Sequence, residues 1–310
     1  MSRDPLAGFS GLATDPLDVQ RDRVLGAWSG FLDAVAGTDL SAPSRLPGWT
    51  GHDVAVHIGD WDEATTLDRL VAQARSGTVV PPWDPDAVNA RVVAAHRDAS
   101  RADVLAALER SRQGVAAWFD SSGPAELGRV TVMSVVGPLP LLTVVNAGAY
   151  ELAVHALDLV AGPAASGPDR AAGSSAASLG RLLDAGLAAL VDVTGVFAYR
   201  RGLRTALTAW TGDRGWHVRT DATGWRTTPV TARPPGAVAE ASAAVLLDAS
   251  AGRRSVPSLL ASRTLKVHSL PDIIRLASIV DEIPGLPGGP ALRAAARWVG
   301  STGRLLRLGR

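Results

Sequence analysis

The periodicity of the chain changes once, and that change constrains the fold more than any single residue does. Before residue 161 the apolar positions recur at helical spacing, as in Val19, Val24, Leu25, Trp28, Phe31, Leu32 and Val35. After residue 175 short alternating runs appear, TALTAW, WHVRTD and WRTTPV, separated by TGDRG and ATG. That is the pattern of a β-meander. Between the two lies AGPAASGPDRAAGSS, small residues with one Asp-Arg pair. A chain of 310 residues is also long for one ordinary core. The expected fold is α+β with two domains. Residues 1–160 form a helical bundle, residues 161–175 a linker that proteases should cut first, and residues 176–310 a smaller α+β domain.

Within the first domain four main helices are expected, packed antiparallel as a four-helix bundle. One covers residues 16–36. A second starts at the N-cap Thr50, with Asp53 in the capping-box position, and runs to the C-cap Gly77. VLAALERSRQGVAAWF makes a third. The fourth runs from Pro140 to Val160 after an irregular lead-in, and a shorter helix is expected near 86–98. Residues 130–150 carry no charge and approach membrane-spanning length. Gly137, Pro138 and Pro140 interrupt that run and Glu151 and His155 follow it, so a core helix is the better reading. In the second domain a helix over 175–193 precedes the meander. Another strand is expected over AVAEASAAVLLDA, then helices near 255–262, 270–280 and 290–299.

Composition removes several functions. The 31 basic and 30 acidic residues leave a formal charge of +1, so there is no electrostatic footprint for nucleic acid. There is no cysteine, hence no disulfide, and any metal site must use His, Asp or Glu. The opening MSRDPLAGFSGLATDP has no apolar core of signal-peptide length. A cytoplasmic protein without a membrane partner, monomeric or homodimeric, is expected. No phosphate loop, nucleophile elbow or kinase signature appears.

The run AYELAVHALDLVAG places Glu151 and His155 four residues apart on an apolar helix, where an unpartnered carboxylate or imidazole is costly. His57 lies in an equally apolar setting, DVAVHIGDW. In an antiparallel bundle two helices can direct all three into one interior pocket. Two imidazoles and a carboxylate suit zinc with an open position, or ferrous iron. Asp158 and Asp60, each about a turn past a histidine, are candidates to orient the ligands from outside the first shell. Trp61 is a candidate pocket wall. Spacing alone leaves the alternative open that Glu151 and His155 form an ordinary surface pair or core hydrogen bond. His52 reads as a solvated or capping residue, and His96, His217 and His268 as surface groups. Arg253 and Arg254 read as a solvated pair, and Trp210, Trp216 and Trp225 as core or cross-strand residues.

LPGWTGHDVAVHIGD together with YELAVHALDLVAG resembles the mycothiol-dependent maleylpyruvate isomerase family, part of the DinB-like group of metal-binding four-helix bundles. The resemblance covers about half the chain. It rests on Pro47, Gly48, Trp49 and Thr50 leading to His57, and on Glu151, His155 and Asp158 in Glu-x-x-x-His-x-x-Asp order. It implies that His57, Glu151 and His155 bind a divalent metal, most often zinc, with Fe2+ or Ni2+ as alternatives. Further on, RRSVPSLLASRTLKVHSLPDIIRLASIV is similar to the end of a sterol-carrier-protein-like domain. In that pattern Lys-Val-x-Gly-Asp precedes an apolar helix, whereas here Lys266, Val267 and His268 are followed by Ser269, so the Gly-Asp is missing and ligand binding by this domain is left open.

An open metal position can lower the pKa of a bound thiol. With no cysteine in the chain, the thiol must arrive as a co-substrate, and the resemblance implies mycothiol, the thiol of actinobacteria. Attack on an electrophilic small molecule then gives cis–trans isomerisation if the adduct rotates and expels the thiol, or S-conjugation if it does not. A hydrolase using metal-bound water and a non-catalytic carrier of an apolar ligand are the alternatives.

Overall fold

The computed structural model describes residues 10–78, 84–160 and 176–269. Two compact units are present. One is Ala13–Gly186, and the other joins the residues up to Leu12 with those from Leu187 onward. The expected linker 161–175 and the expected helices near 270–280 and 290–299 lie outside the described residues.

The first unit contains seven helices among its described residues before residue 161: α1 Leu17–Ala36, α2 Gly51–Ile58, α3 Thr66–Ser76, α4 Pro85–Ala95, α5 Arg101–Phe119, α6 Gly123–Leu127 and α7 Leu141–Val160. Four of them close a ring: α1 packs on α5 and α7, and α2 packs on the same two. Phe31, Val35, Val54, Val56, Leu108 and Leu141 are fully buried between them. Each such side chain contributes roughly 1.5–3 kcal/mol by leaving water. Thr50 caps α2 through the expected capping box with Asp53, and Gly77 ends α3 at φ 64°.

The second helix expected from the sequence is two helices. α2 stops at Ile58, where Gly59 turns extended at ψ 148°. Thr65 then starts α3 with a capping box of its own, completed by Asp68. Two complete start signals in one apolar-periodic run divide it. The irregular lead-in to α7 is also more regular than expected. It is an antiparallel hairpin, β1 Thr131–Ser134 with β2 Gly137–Pro140, in the register Val132↔Leu139.

α8, Ala176–Arg200, is two turns longer than expected, and the division between the units falls within it. Its first turns pack on α1. The Ser178 hydroxyl donates to Asp33 at 2.7 Å, and a Cβ on Gly30 would come within 2.8 Å of Leu182. α8 is the one helix among the described residues long and apolar enough to cross a membrane, and 67% of its most apolar window is buried.

In the second unit β3 Ala206–Trp210, β4 Gly215–Thr220 and β5 Trp225–Val230 form the expected meander. β6 Val238–Glu240 lies parallel to β3, and β7 Lys266–His268 completes the sheet order β5-β4-β3-β6-β7. AVAEASAAVLLDA is a strand only at its start. The Ser242 hydroxyl accepts from the Val245 amide and opens α9, Ala243–Ser250, so the apolar run that follows is helical. α10, Val256–Ala261, lies where a helix was expected. Trp210, Trp216 and Trp225 are buried as expected. The Asp192 carboxylate of α8 accepts from the Leu12 amide, the Trp225 indole and the Thr227 hydroxyl, at 3.0, 2.8 and 2.6 Å.

Candidate metal centre

α7 is buried nearly all round: Leu152, Ala153, Val154, Ala156, Leu157 and Leu159 face the core. Four polar side chains share that burial, Thr143 and Asn146 near the start of the helix and, further along, His155 at 6% exposure and Asp158 at 0%. Glu151 is the gap, with half of its side chain open to solvent. One turn of helix carries it above His155, whose Nε2 lies 3.5 Å from Glu151 Oε2. On its other side the His155 ring is anchored, Nδ1 lying 3.1 Å from Asp158 Oδ2. If Nδ1 carries the proton it donates to Asp158, and Nε2 presents its lone pair toward Glu151.

His57 reaches the same point from the last turn of α2. Its ring centroid is 5.0 Å from that of His155 in an edge-to-face arrangement. One donor atom each from His57, Glu151 and His155 lie within 4.8 Å of one another. Donors around a tetrahedral ion at zinc–ligand lengths sit roughly 3.4 Å apart. The cluster is thus slightly open, within reach of side-chain rotation. The donor set fits a divalent metal held by two imidazoles and one carboxylate, with Asp158 on the far nitrogen of His155.

The backbone holds the two sides together. Just ahead of α2, the Arg45 amide donates to the Asp158 carbonyl at 3.1 Å and its guanidinium to the Leu157 carbonyl at 3.4 Å. Pro43 and Thr50 form an isolated antiparallel bridge in the same segment. The conformation that carries Trp49 and Thr50 into α2 is therefore fixed against the end of α7.

Without a metal the two imidazoles titrate in opposite directions. Burial, then the positive charge of His155, push His57 down to about 4 against the pull of Glu151 and of a hydrogen bond to Asn89. Burial also opposes charge on His155, but the hydrogen bond to Asp158 and the nearby Glu151 outweigh it and raise its pKa to about 9.

Of the residues expected here, His57, Glu151, His155 and Asp158 come together. Asp60 does not join them. Because α2 ends at Ile58, Asp60 leaves the helical face of His57, and its carboxylate accepts from the Thr66 amide and hydroxyl at 2.7 and 2.8 Å. Trp61 is also outside the helix. Its indole donates to the Val56 carbonyl and stacks on His96, centroids 4.0 Å apart. The cavity it lines, about 300 Å3, is shared with His96, Ala99, Asp103, Ala106 and Arg110, none of them a candidate ligand.

One neighbour of His57 escaped the sequence reading as a site residue: Trp49 sits edge-on to it, centroids 5.8 Å apart. The position of Trp49 just ahead of Thr50 was a usable signal. The remaining histidines are partnered: His52 with the Ala99 carbonyl at 2.9 Å, His217 with the Thr208 hydroxyl at 2.9 Å and His268 with Glu240 at 3.0 Å. His52, expected as a solvated or capping residue, and His217 and His268, expected as surface groups, thus each face a neighbouring segment, and His268 keeps 38% of its side chain exposed.

Residues 22–160 match the mycothiol maleylpyruvate isomerase N-terminal domain. That match takes in a little under half of the chain. The matched span runs from α1 to the last turn of α7 and so contains His57, Glu151, His155 and Asp158. Among solved structures, the chain is similar to a crystal structure of the mycothiol-dependent maleylpyruvate isomerase, at 19% identity and TM-score 0.49 over 80% of this chain and 94% of that one. A histidine-to-alanine variant of the isomerase gives 19% and 0.48 over 80% and 93%. No curated protein matches the chain.

Proposed function

We propose that the protein is a metal-dependent enzyme that uses mycothiol to act on an electrophilic small molecule, with cis–trans isomerisation as the reaction. The observation that carries this is the convergence of His57, Glu151 and His155, with His155 anchored by Asp158, inside a domain of the mycothiol maleylpyruvate isomerase family. A divalent ion there, zinc being the one the resemblance implies, would supply an electrophilic centre that makes a thiol acidic enough to ionise at neutral pH.

The chain's own residues do the rest by placement. Asp158 holds the proton on His155 Nδ1, so Nε2 is the nitrogen that ligates once it has given up its own proton. His57, with its low pKa, is neutral at physiological pH and needs no proton removed. Glu151 is the half-exposed member, so the site opens to solvent on its side. The absence of cysteine means that the sulfur nucleophile comes from outside the chain. In the reaction the thiolate forms a C–S bond to the substrate, the substrate turns about the bond that has become single, and the C–S bond breaks to return the thiol. The ring of α1, α5, α2 and α7 supports a DinB-like bundle. The position of β7, where the Lys266-Val267 motif falls, supports a sterol-carrier-like second domain.

The test is turnover of maleylpyruvate, and of other electrophilic olefins, by protein of measured metal content, with and without mycothiol. Turnover that needs both metal and mycothiol is expected. Equal hydrolytic turnover without any thiol would move the protein to the hydrolase reading. Metal-free protein with undiminished turnover would remove the metal from the account.

A further inference from the structure

Trp49 stands just before Thr50, the N-cap of α2. An apolar residue there commonly packs on the first turn of its helix. Here the indole also reaches the last turn. Its ring and that of His57 lie edge-to-face, centroids 5.8 Å apart at an interplanar angle of 75°. The rise from Gly51 to His57 is about 9 Å, and helical side chains lean toward the N-terminus, so the imidazole and a side chain as long as tryptophan meet partway. The main chain that carries Trp49 is closely held. Its carbonyl accepts from the Ser44 amide and hydroxyl, both at 2.9 Å, and its amide donates to the Leu46 carbonyl at 3.1 Å. Gly48 turns the chain at φ 79°, where a side chain would be strained. The Arg45 amide ties the same turn to the Asp158 carbonyl of α7.

The two imidazoles are oriented by different means. His155 has a fully buried carboxylate on its far nitrogen, from its own helix. His57 has no such carboxylate on α2, because Asp60 has turned to Thr66. Among the described residues its ring contacts are two edge-to-face ones, with Trp49 and with His155. Of these only Trp49 lies outside the ligand set. We infer that Trp49 is the positioning residue for His57: the indole limits rotation of the imidazole about its Cβ–Cγ bond, and the turn at 43–50 sets where the indole sits. The inference rests on the metal-site reading given above. Asp158 then stands behind both histidines. Its carboxylate anchors His155, and its main-chain carbonyl holds the turn that brings Trp49 to His57.

The experiment uses the full chain with cobalt(II) as the probe. Affinity and ligand geometry are read from cobalt absorbance, and the integrity of α2 from amide exchange over residues 51–58. Trp49→Leu removes the ring, Trp49→Phe keeps a shorter one, and Trp61→Leu removes a half-buried indole that lies outside the site. Trp49→Leu is expected to weaken cobalt binding roughly 2–10-fold, the worth of one edge-to-face pair. Its cobalt bands should broaden, because His57 then meets the ion in more than one orientation, while exchange in α2 stays at the parent rate. Trp49→Phe should recover part of the loss, and Trp61→Leu should change affinity little. Parent-like affinity and bands in Trp49→Leu, with cobalt binding lost in His57→Ala, overturn this inference alone. So does a loss accompanied by faster exchange throughout α2, which would make Trp49 a support of the helix and not of the ring, and so does an equal loss in Trp61→Leu. A parent protein that binds no cobalt overturns the metal-site reading and this inference together.

Discussion

The two halves of the candidate centre are built to different standards. The α7 half is a twenty-residue helix in which Glu151, His155 and Asp158 occupy successive turns and nearly every other side chain is core. The α2 half is an eight-residue helix with His57 in its last turn, backed by Trp49 and by a helix that buries nothing fully. One half is prearranged by its own packing, and the other depends on neighbours. Such a division lets a ligand set form without a rigid cage, and it concentrates any adjustment on the His57 side.

Removing either histidine tests whether both halves are needed at all. His155→Ala and His57→Ala should each lower metal affinity by more than the roughly 10–100-fold that a supporting residue costs, while far-ultraviolet circular dichroism shows the helices intact. Full metal occupancy in both variants would reduce the cluster to a buried hydrogen-bond network.

Asp158→Asn probes the prearranged half. It exchanges the carboxylate on His155 Nδ1 for an amide, and metal affinity should fall roughly 10–100-fold. If it falls no more than in His52→Ala, the α7 half is not prearranged by Asp158.

Acidity sharpens the contrast because the two imidazoles shift in opposite directions. In chelator-treated protein the folded pKa of His155, about 9, lies above the ordinary 6.5. Its contribution to stability is complete below pH 6.5 and is lost as pH rises toward 9. For His57 the folded value, about 4, lies below 6.5. There the unfolded chain takes up the proton first, so stability falls as pH drops from 6.5 toward 4. The pair together gives a stability maximum near pH 6.5, with slopes of up to roughly 1.4 kcal/mol per pH unit on either side. Denaturant titrations across that range check it. Between pH 9 and 6.5 metal affinity should fall roughly tenfold per unit, because His155 must release its proton to ligate. A flat profile would mean that His155 is not charged in the metal-free protein over that range.

The smallest effect is expected just outside the α2 half. Asp60→Ala should cost roughly 1 kcal/mol of stability through the start of α3 and leave metal affinity unchanged. A loss of affinity there would restore Asp60 to the site.

Much of the α7 half was legible in the sequence, because helical spacing and apolar flanks place Glu151 and His155 on one face whatever the rest of the chain does. That His57 meets them was visible through the resemblance and not through spacing, since nothing local encodes proximity over about a hundred residues. Asp60 was misplaced for a physical reason: the apolar periodicity runs on through residues 59–65, and only the paired Thr65 and Asp68 mark a second helix start. In the second unit the meander was plain from alternation. β6 was not separable from the apolar run of α9 except at Ser242.

The spacing of the ligands along the chain also sets the order in which the site comes into being. His57 is synthesised about a hundred residues before Glu151 and His155. Until α7 has emerged, a nascent chain offers an incoming ion one imidazole with no companion. The Arg45 contacts to Leu157 and Asp158 form no earlier, because their acceptors lie in the same late turn. If the candidate centre holds a metal, loading would therefore report that the N-terminal unit has closed, and chains interrupted before residue 151 would leave the cell's metal pool untouched.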